Sequence, residues 1–75
     1  MTADEYLQHV RETRSKRLRE LVATFENQYE AAEEIGLSQS FISRLIHGHE
    51  PFGEKLARQI EGNFGLEFGA LDRGA

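Results

Sequence analysis

Apolar residues recur along this chain in steps of three and four, the spacing that puts one face of an α-helix inward. Leu18, Leu21, Val22 and Phe25 form the strongest such stripe. Ile42 and Leu45, edged by Phe41 or Ile46, form a second, and Leu56, Ala57, Ile60 and Phe64 a third. Nearer the start, Tyr6, Leu7 and Val10 give a shorter apolar face, followed by the wholly polar stretch Glu12 to Lys16. The two faces suit either one helix or two with a break near Thr13–Ser15. The pattern favours one, bent if anything, that ends around Glu26. Leu66, Phe68 and Leu71 at the tail suggest one short helical turn, with Gly74-Ala75 frayed beyond it. No alternating strand pattern, internal repeat or low-complexity segment is present, so the expected fold is all-α, with four to five helices.

Punctuation residues agree with these limits. Thr2-Ala-Asp-Glu5 reads as a capping box opening the first helix, and Asn27 with Glu30 as a similar pair. Gly36 follows Ile35, where a left-handed backbone costs glycine little. Ser38 is an N-cap for the next helix. Pro51 disfavours helix at Glu50. Gly53 begins the fourth helix and Gly65 stops it.

The most informative stretch is Gln28 to Gly48, Q-Y-E-A-A-E-E-I-G-L-S-Q-S-F-I-S-R-L-I-H-G. Helix signals at Gln28–Ile35 and Gln39–His47, joined by Gly-Leu-Ser, predict a helix-turn-helix. Ala32 is small where the helices must cross closely, and Leu37 can tuck under the turn. Gln39, Ser40, Ser43 and Arg44 remain outward on the second helix, a set suited to base edges and phosphates. A Gln amide donates to adenine N7 and accepts from N6, which makes Gln39 the first candidate for base readout. Gln28, at a helix N-terminus, is placed to hold a phosphate and to bridge it to Gln39. Arg14 and Arg17 are phosphate candidates on the first helix, the alternative being a solvated basic face paired with Glu12 or Glu20. His47 either touches a nucleic-acid backbone or favours the helix dipole when charged. Amphipathic helix pairs often build nothing but core, and lone exposed Gln and Ser residues are often solvated surface.

This stretch resembles the lambda-repressor-like (Cro-type, XRE family) DNA-binding domain of phage and bacterial regulators. Gln28, Ala32, Gly36, Gln39-Ser40, Ile42 and Gly48 carry the resemblance, with G-E-K-L-A-R-Q-I-E at Gly53–Glu61 similar to the family's fourth helix. The likeness spans about Arg17 to Leu71. It implies a small lambda-repressor-like domain in which the Gln28 position contacts phosphate and braces the base-reading Gln39 position. The Ser40 position would also face a base. It further implies a transcriptional regulator, of the phage or mobile-element repressor type, bound as a homodimer to double-stranded operator DNA. Phe68 and Leu71 are then candidates for the dimer contact, or else cap the core.

Composition bounds the rest. Seventy-five residues allow one domain, with an N-terminal helical extension at about 1–13 and the motif at 28–48. There is no Cys, hence no disulfide or thiolate metal site. No apolar run approaches the roughly 20 residues of a membrane span, and M-T-A-D-E-Y lacks a signal peptide's basic start. A cytoplasmic protein without cofactor or small-molecule substrate is expected. His47 and His49 lack a third metal ligand at firm spacing. No nucleophile elbow or phosphate loop suggests an enzyme, and Gly62–Gly65 is a helix stop.

The net charge of −4 opposes DNA binding, so its distribution matters. Residues 11–19 hold Arg11, Arg14, Lys16, Arg17 and Arg19 against Glu12 alone. The acids gather at Glu30, Glu33 and Glu34, and at Glu61, Glu67 and Asp72. One basic edge and an acidic back are expected. The competing reading is a protein-interaction module, antitoxin-like or anti-repressor, that uses the acidic face on a basic partner.

Overall fold

Thr2 starts the first helix as its sequence predicts. Its hydroxyl accepts the Glu5 N–H while the Glu5 carboxylate accepts the Thr2 N–H, at 3.1 and 3.2 Å. The computed structural model describes residues 1–73; Gly74 and Ala75, expected to fray, lie outside the described residues. Four α-helices and a 3₁₀ turn follow in order: α1 Ala3–Val22, α2 Gln28–Ile35, α3 Gln39–Ile46, α4 Glu54–Phe64, and the turn Ala70–Asp72. There is no strand among the described residues, and the fold is all-α. No described helix is long and apolar enough to cross a membrane.

α1 is one helix, unbroken through the polar stretch at Thr13–Ser15. That stretch stays helical because its inward members are satisfied by hydrogen bonds. The Arg14 guanidinium donates to Asp72 and to the Phe52 carbonyl, and the Ser15 hydroxyl donates to the Leu45 carbonyl at 2.7 Å. The helix ends at Val22, short of the expected Glu26. Thr24 and Phe25 N–H groups bond back to Leu21 and Val22, a tighter i→i+3 pattern that closes the helix. Phe25 then turns onto Phe64, ring centroids 5.7 Å apart.

α2 and α3 are joined by three residues, Gly36 to Ser38. Gly36 takes φ +82°, and both Gly36 and Leu37 N–H groups reach the Ala32 carbonyl. Ser38 caps α3 through the Phe41 N–H. Asn27 caps α2 through the Glu30 N–H at 2.8 Å, without the reciprocal carboxylate bond that a full box would add. At the far end of α3, Gly48 at φ +76° lets the His49 N–H return to the Arg44 carbonyl.

Every element feeds one core. Leu18, Ala32, Ile35, Ile42, Leu45, Ile46, Phe52, Ala57, Ile60 and Leu71 are buried together, each large side chain worth about 1.5–3 kcal/mol of burial. Phe52, in the loop before α4, is among the largest of them. Leu71 caps this core and is unavailable to a partner, whereas Phe68 stays 77% exposed, with the Arg58 guanidinium 4.7 Å from its ring centroid.

The expected acidic back is smaller than its residue count. Glu61 is buried, and its carboxylate accepts the N–H groups of Gly69 and Leu71, both at 2.9 Å. Asp72 is shared between Arg14 and Arg58. These two acids hold the C-terminal turn down onto α4 and α1.

Candidate functional site

α3 offers Gln39, Ser40, Arg44 and His47 to solvent, with Ser43 half-buried between them. They are outward because Ile42, Leu45 and Ile46 occupy the inward phase of the same eight residues. The helix carries no carboxylate. Two of the outward side chains are oriented by neighbours. The Arg44 Nε donates to Glu50 at 3.1 Å, and its guanidinium lies 5.5 Å from the Phe41 ring centroid. Most of its N–H donors remain unused. His47 Nδ1 lies 2.8 Å from the Ser43 carbonyl, an acceptor, so Nδ1 is the donor in that bond.

Gln28 opens α2 half-buried, and no hydrogen bond joins it to Gln39 among the described residues. Glu30, exposed in the same first turn, favours the helix dipole but opposes a phosphate there.

The two arginines singled out on α1 do not face the same way as α3's outward strip. Arg14 is only 6% exposed. Its Nε and Nη2 fork onto the two Asp72 oxygens at 2.6 and 3.1 Å, and Nη1 donates to the Phe52 carbonyl at 2.7 Å. This bidentate bond, offset in part by burial, raises the Arg14 pKa and holds the Asp72 carboxyl below its usual range. Arg14 is therefore a structural cation, and the expectation of a phosphate contact is corrected. Arg17 is committed as well: its Nε donates to the Arg73 carbonyl at 2.7 Å and its Nη1 to Glu20 at 2.8 Å. Pairing with Glu20 was the alternative the sequence offered.

The basic run instead divides by helical phase. Arg14 and Arg17 share the inward phase of Leu18 and Leu21, whereas Arg11, Ser15 and Arg19, four apart, form the neighbouring row. That phase was the available signal, and counting charges along the run missed it. Arg11, Lys16 and Arg19 line an open cleft of about 680 Å³ between α1 and the loop after α3, where His47 and His49 complete the wall. The two imidazole rings stack with centroids 6.4 Å apart.

Among the described residues, five of the nine Lys and Arg side chains are ion-paired: Arg14, Arg17, Arg44, Arg58 and Arg73. Of the four left, Arg11, Lys16 and Arg19 line this cleft and Lys55 lies elsewhere. Glu12 and Glu50 also border it; Glu50 is paired with Arg44, while Glu12, bonded only to the neutral Gln8 amide, keeps its charge and offsets part of the cleft's positive charge. An acidic chain thus gathers three of these four cations beside the C-terminal end of α3. Arg19 is steadied there by a 3.3 Å bond to the Ile46 carbonyl.

No group of three His, Cys, Asp or Glu side chains suited to a metal ion occurs among the described residues. Compared with known proteins, the chain matches no family model, no curated protein and no solved structure.

Proposed function

We propose that this chain binds double-stranded DNA in the major groove, with α2 and α3 acting as a lambda-repressor-like helix-turn-helix and α3 as its reading helix. The observation that carries the reading is the exposed strip Gln39, Ser40, Arg44 and His47, on a helix free of carboxylates. Gln39 and Ser40 lie in the first turn, the part of a reading helix that meets base edges, and the Gln amide matches adenine. Arg44 reaches guanine or a phosphate once it leaves Glu50. Gln28 and the free N–H groups of α2 hold a second phosphate, weakened by Glu30. Lys16 and Arg19 replace Arg14 and Arg17 as the phosphate contacts from α1.

The function that follows is transcriptional regulation, most simply repression by covering a promoter, with two copies on a near-palindromic operator. Their reading helices would enter successive grooves about 34 Å apart. Selection from random duplexes tests this directly. An enriched two-fold motif is expected, with affinity falling steeply as salt rises. A chain that shifts no duplex even at low salt would overturn the reading. That result would favour the second reading, in which the exposed Glu30, Glu33 and Glu34 of α2 bind a basic protein partner.

A further inference from the structure

The inward stripe of α1 runs on past the core it serves. Arg14, Leu18 and Leu21 face the molecule's centre, and one or two turns earlier the same phase carries Val10, Leu7 and Tyr6. No core remains opposite them. Every residue from 1 to 9 is exposed, with Tyr6 at 57% and Leu7 at 47%. Tyr6, Leu7 and Val10 border only an open recess, which they share with Gly53, Glu54 and Asp72. Yet the helix is firmly begun, with a full capping box and Asp4 and Glu5 in its first turn. A helix end that is capped and striped but uncovered is built for contact with another surface.

Charge on this segment selects the occupant. Asp4 and Arg11 are seven residues apart, two turns of helix, and so lie along the same flank of the stripe, next to Leu7. Neither has an ion-pair partner among the described residues, whereas Arg14 and Arg17 on the same helix do. When two identical helices pack antiparallel about a two-fold axis, like flanks meet, and the ends of each flank exchange. Asp4 of one copy then faces Arg11 of the other, twice, while Tyr6, Leu7 and Val10 meet across the axis. A parallel pairing would instead bring opposite flanks together, leaving Asp4 and Arg11 without this reciprocal contact. We infer that the projecting end of α1 is a self-association surface that takes a second copy of this chain, antiparallel, through Tyr6, Leu7 and Val10 flanked by reciprocal Asp4–Arg11 pairs. This inference does not rest on DNA binding.

The contact is small. Three side chains on one helix face cover far less than the about 800 Å² per partner of a standard interface, so the dimer is weak alone. It gains strength where something else holds two copies close.

Sedimentation equilibrium without DNA tests the inference. The chain of 8.6 kDa is expected to move toward twice that mass as concentration rises to about 1 mM. Leu7→Glu should leave it monomeric throughout, with unchanged helix content by circular dichroism, because Leu7 lies outside the core. Asp4→Arg and Arg11→Asp should each weaken association about tenfold, since each turns both attractive pairs into repulsive ones. Mixed in equal amounts, these two variants should pair with each other about as well as the wild type, because every facing pair is again opposite in charge. The mixture changes neither chain, so an effect on folding cannot produce the recovery. A wild type monomeric at all concentrations, association that survives Leu7→Glu, or a mixture that fails to recover would each overturn the inference.

Discussion

Arg14 and Asp72, 58 residues apart in sequence, are joined by two hydrogen bonds that fasten the C-terminal turn to the first helix. Arg58 adds a third, Nη2 to Oδ1 at 2.8 Å. The pair works as a clasp: it satisfies a cation buried in the middle of α1 and, with Glu61, brings Leu71 down onto the core.

Removing one side of the clasp strands the other. Asp72→Ala leaves the buried Arg14 without its carboxylate and should destabilise the fold by about 2–3 kcal/mol. That is less than the about 3–5 expected for a fully buried pair, because Asp72 is partly exposed. Urea denaturation measures it. A loss under about 0.5 kcal/mol, the effect of an ordinary surface change, would mean the pair is dispensable.

The same pair makes stability depend on acid. Bonding to Arg14 lowers the Asp72 pKa in the folded chain from its ordinary 3.8, so unfolding takes up a proton there at low pH. The contribution is complete above that ordinary value and is lost as pH falls through the lowered, folded one. Urea midpoints should therefore drop as pH falls below 4, about the ordinary carboxyl range, and Asp72→Asn should flatten that drop.

Ser15 is expected to hold α3 rather than to touch a ligand. Its hydroxyl satisfies the Leu45 carbonyl at the C-terminal end of α3. Ser15→Ala should cost about 0.5–1.5 kcal/mol. The α3 amide protons should exchange with solvent faster in the variant, which hydrogen-exchange mass spectrometry would detect.

Base readout and plain charge should separate under mutation. Gln39→Ala should lose about 1–3 kcal/mol of discrimination at one base pair and keep non-specific affinity. Arg19→Ala and Lys16→Ala should weaken all duplexes alike and each lower the salt slope by about one. Arg17→Ala should leave that slope unchanged, since Arg17 is spent on Glu20 and Arg73. If Arg17→Ala changes the slope and Arg19→Ala does not, the assignment of the cleft is wrong.

Glu50 should act as a brake on Arg44. Glu50→Gln removes the charge that holds the Arg44 guanidinium and borders the cleft. Affinity for any duplex should rise, by a few-fold at low salt and less at high salt, in a filter-binding titration.

The helices, their caps and the turn at Gly36 were legible in the sequence because they are set by neighbours three or four residues apart. Thr2, Asn27, Ser38 and Gly36 each act on a backbone group within one turn of themselves. The outward strip on α3 was legible for the same reason, since helical phase alone separates Gln39 and Arg44 from Ile42 and Leu45. Tertiary structure decided what depends on partners far along the chain. It turned Arg14 from a surface cation into a buried one by supplying Asp72, took Glu61 out of solvent to cap the C-terminal turn, and drew Phe52 from its loop into the core. It also gathered Arg11, Lys16 and Arg19 opposite His47 and His49. A residue's charge is written in the sequence, but whether that charge is spent inside the molecule or left for a ligand depends on which distant groups folding brings within about 3 Å of it.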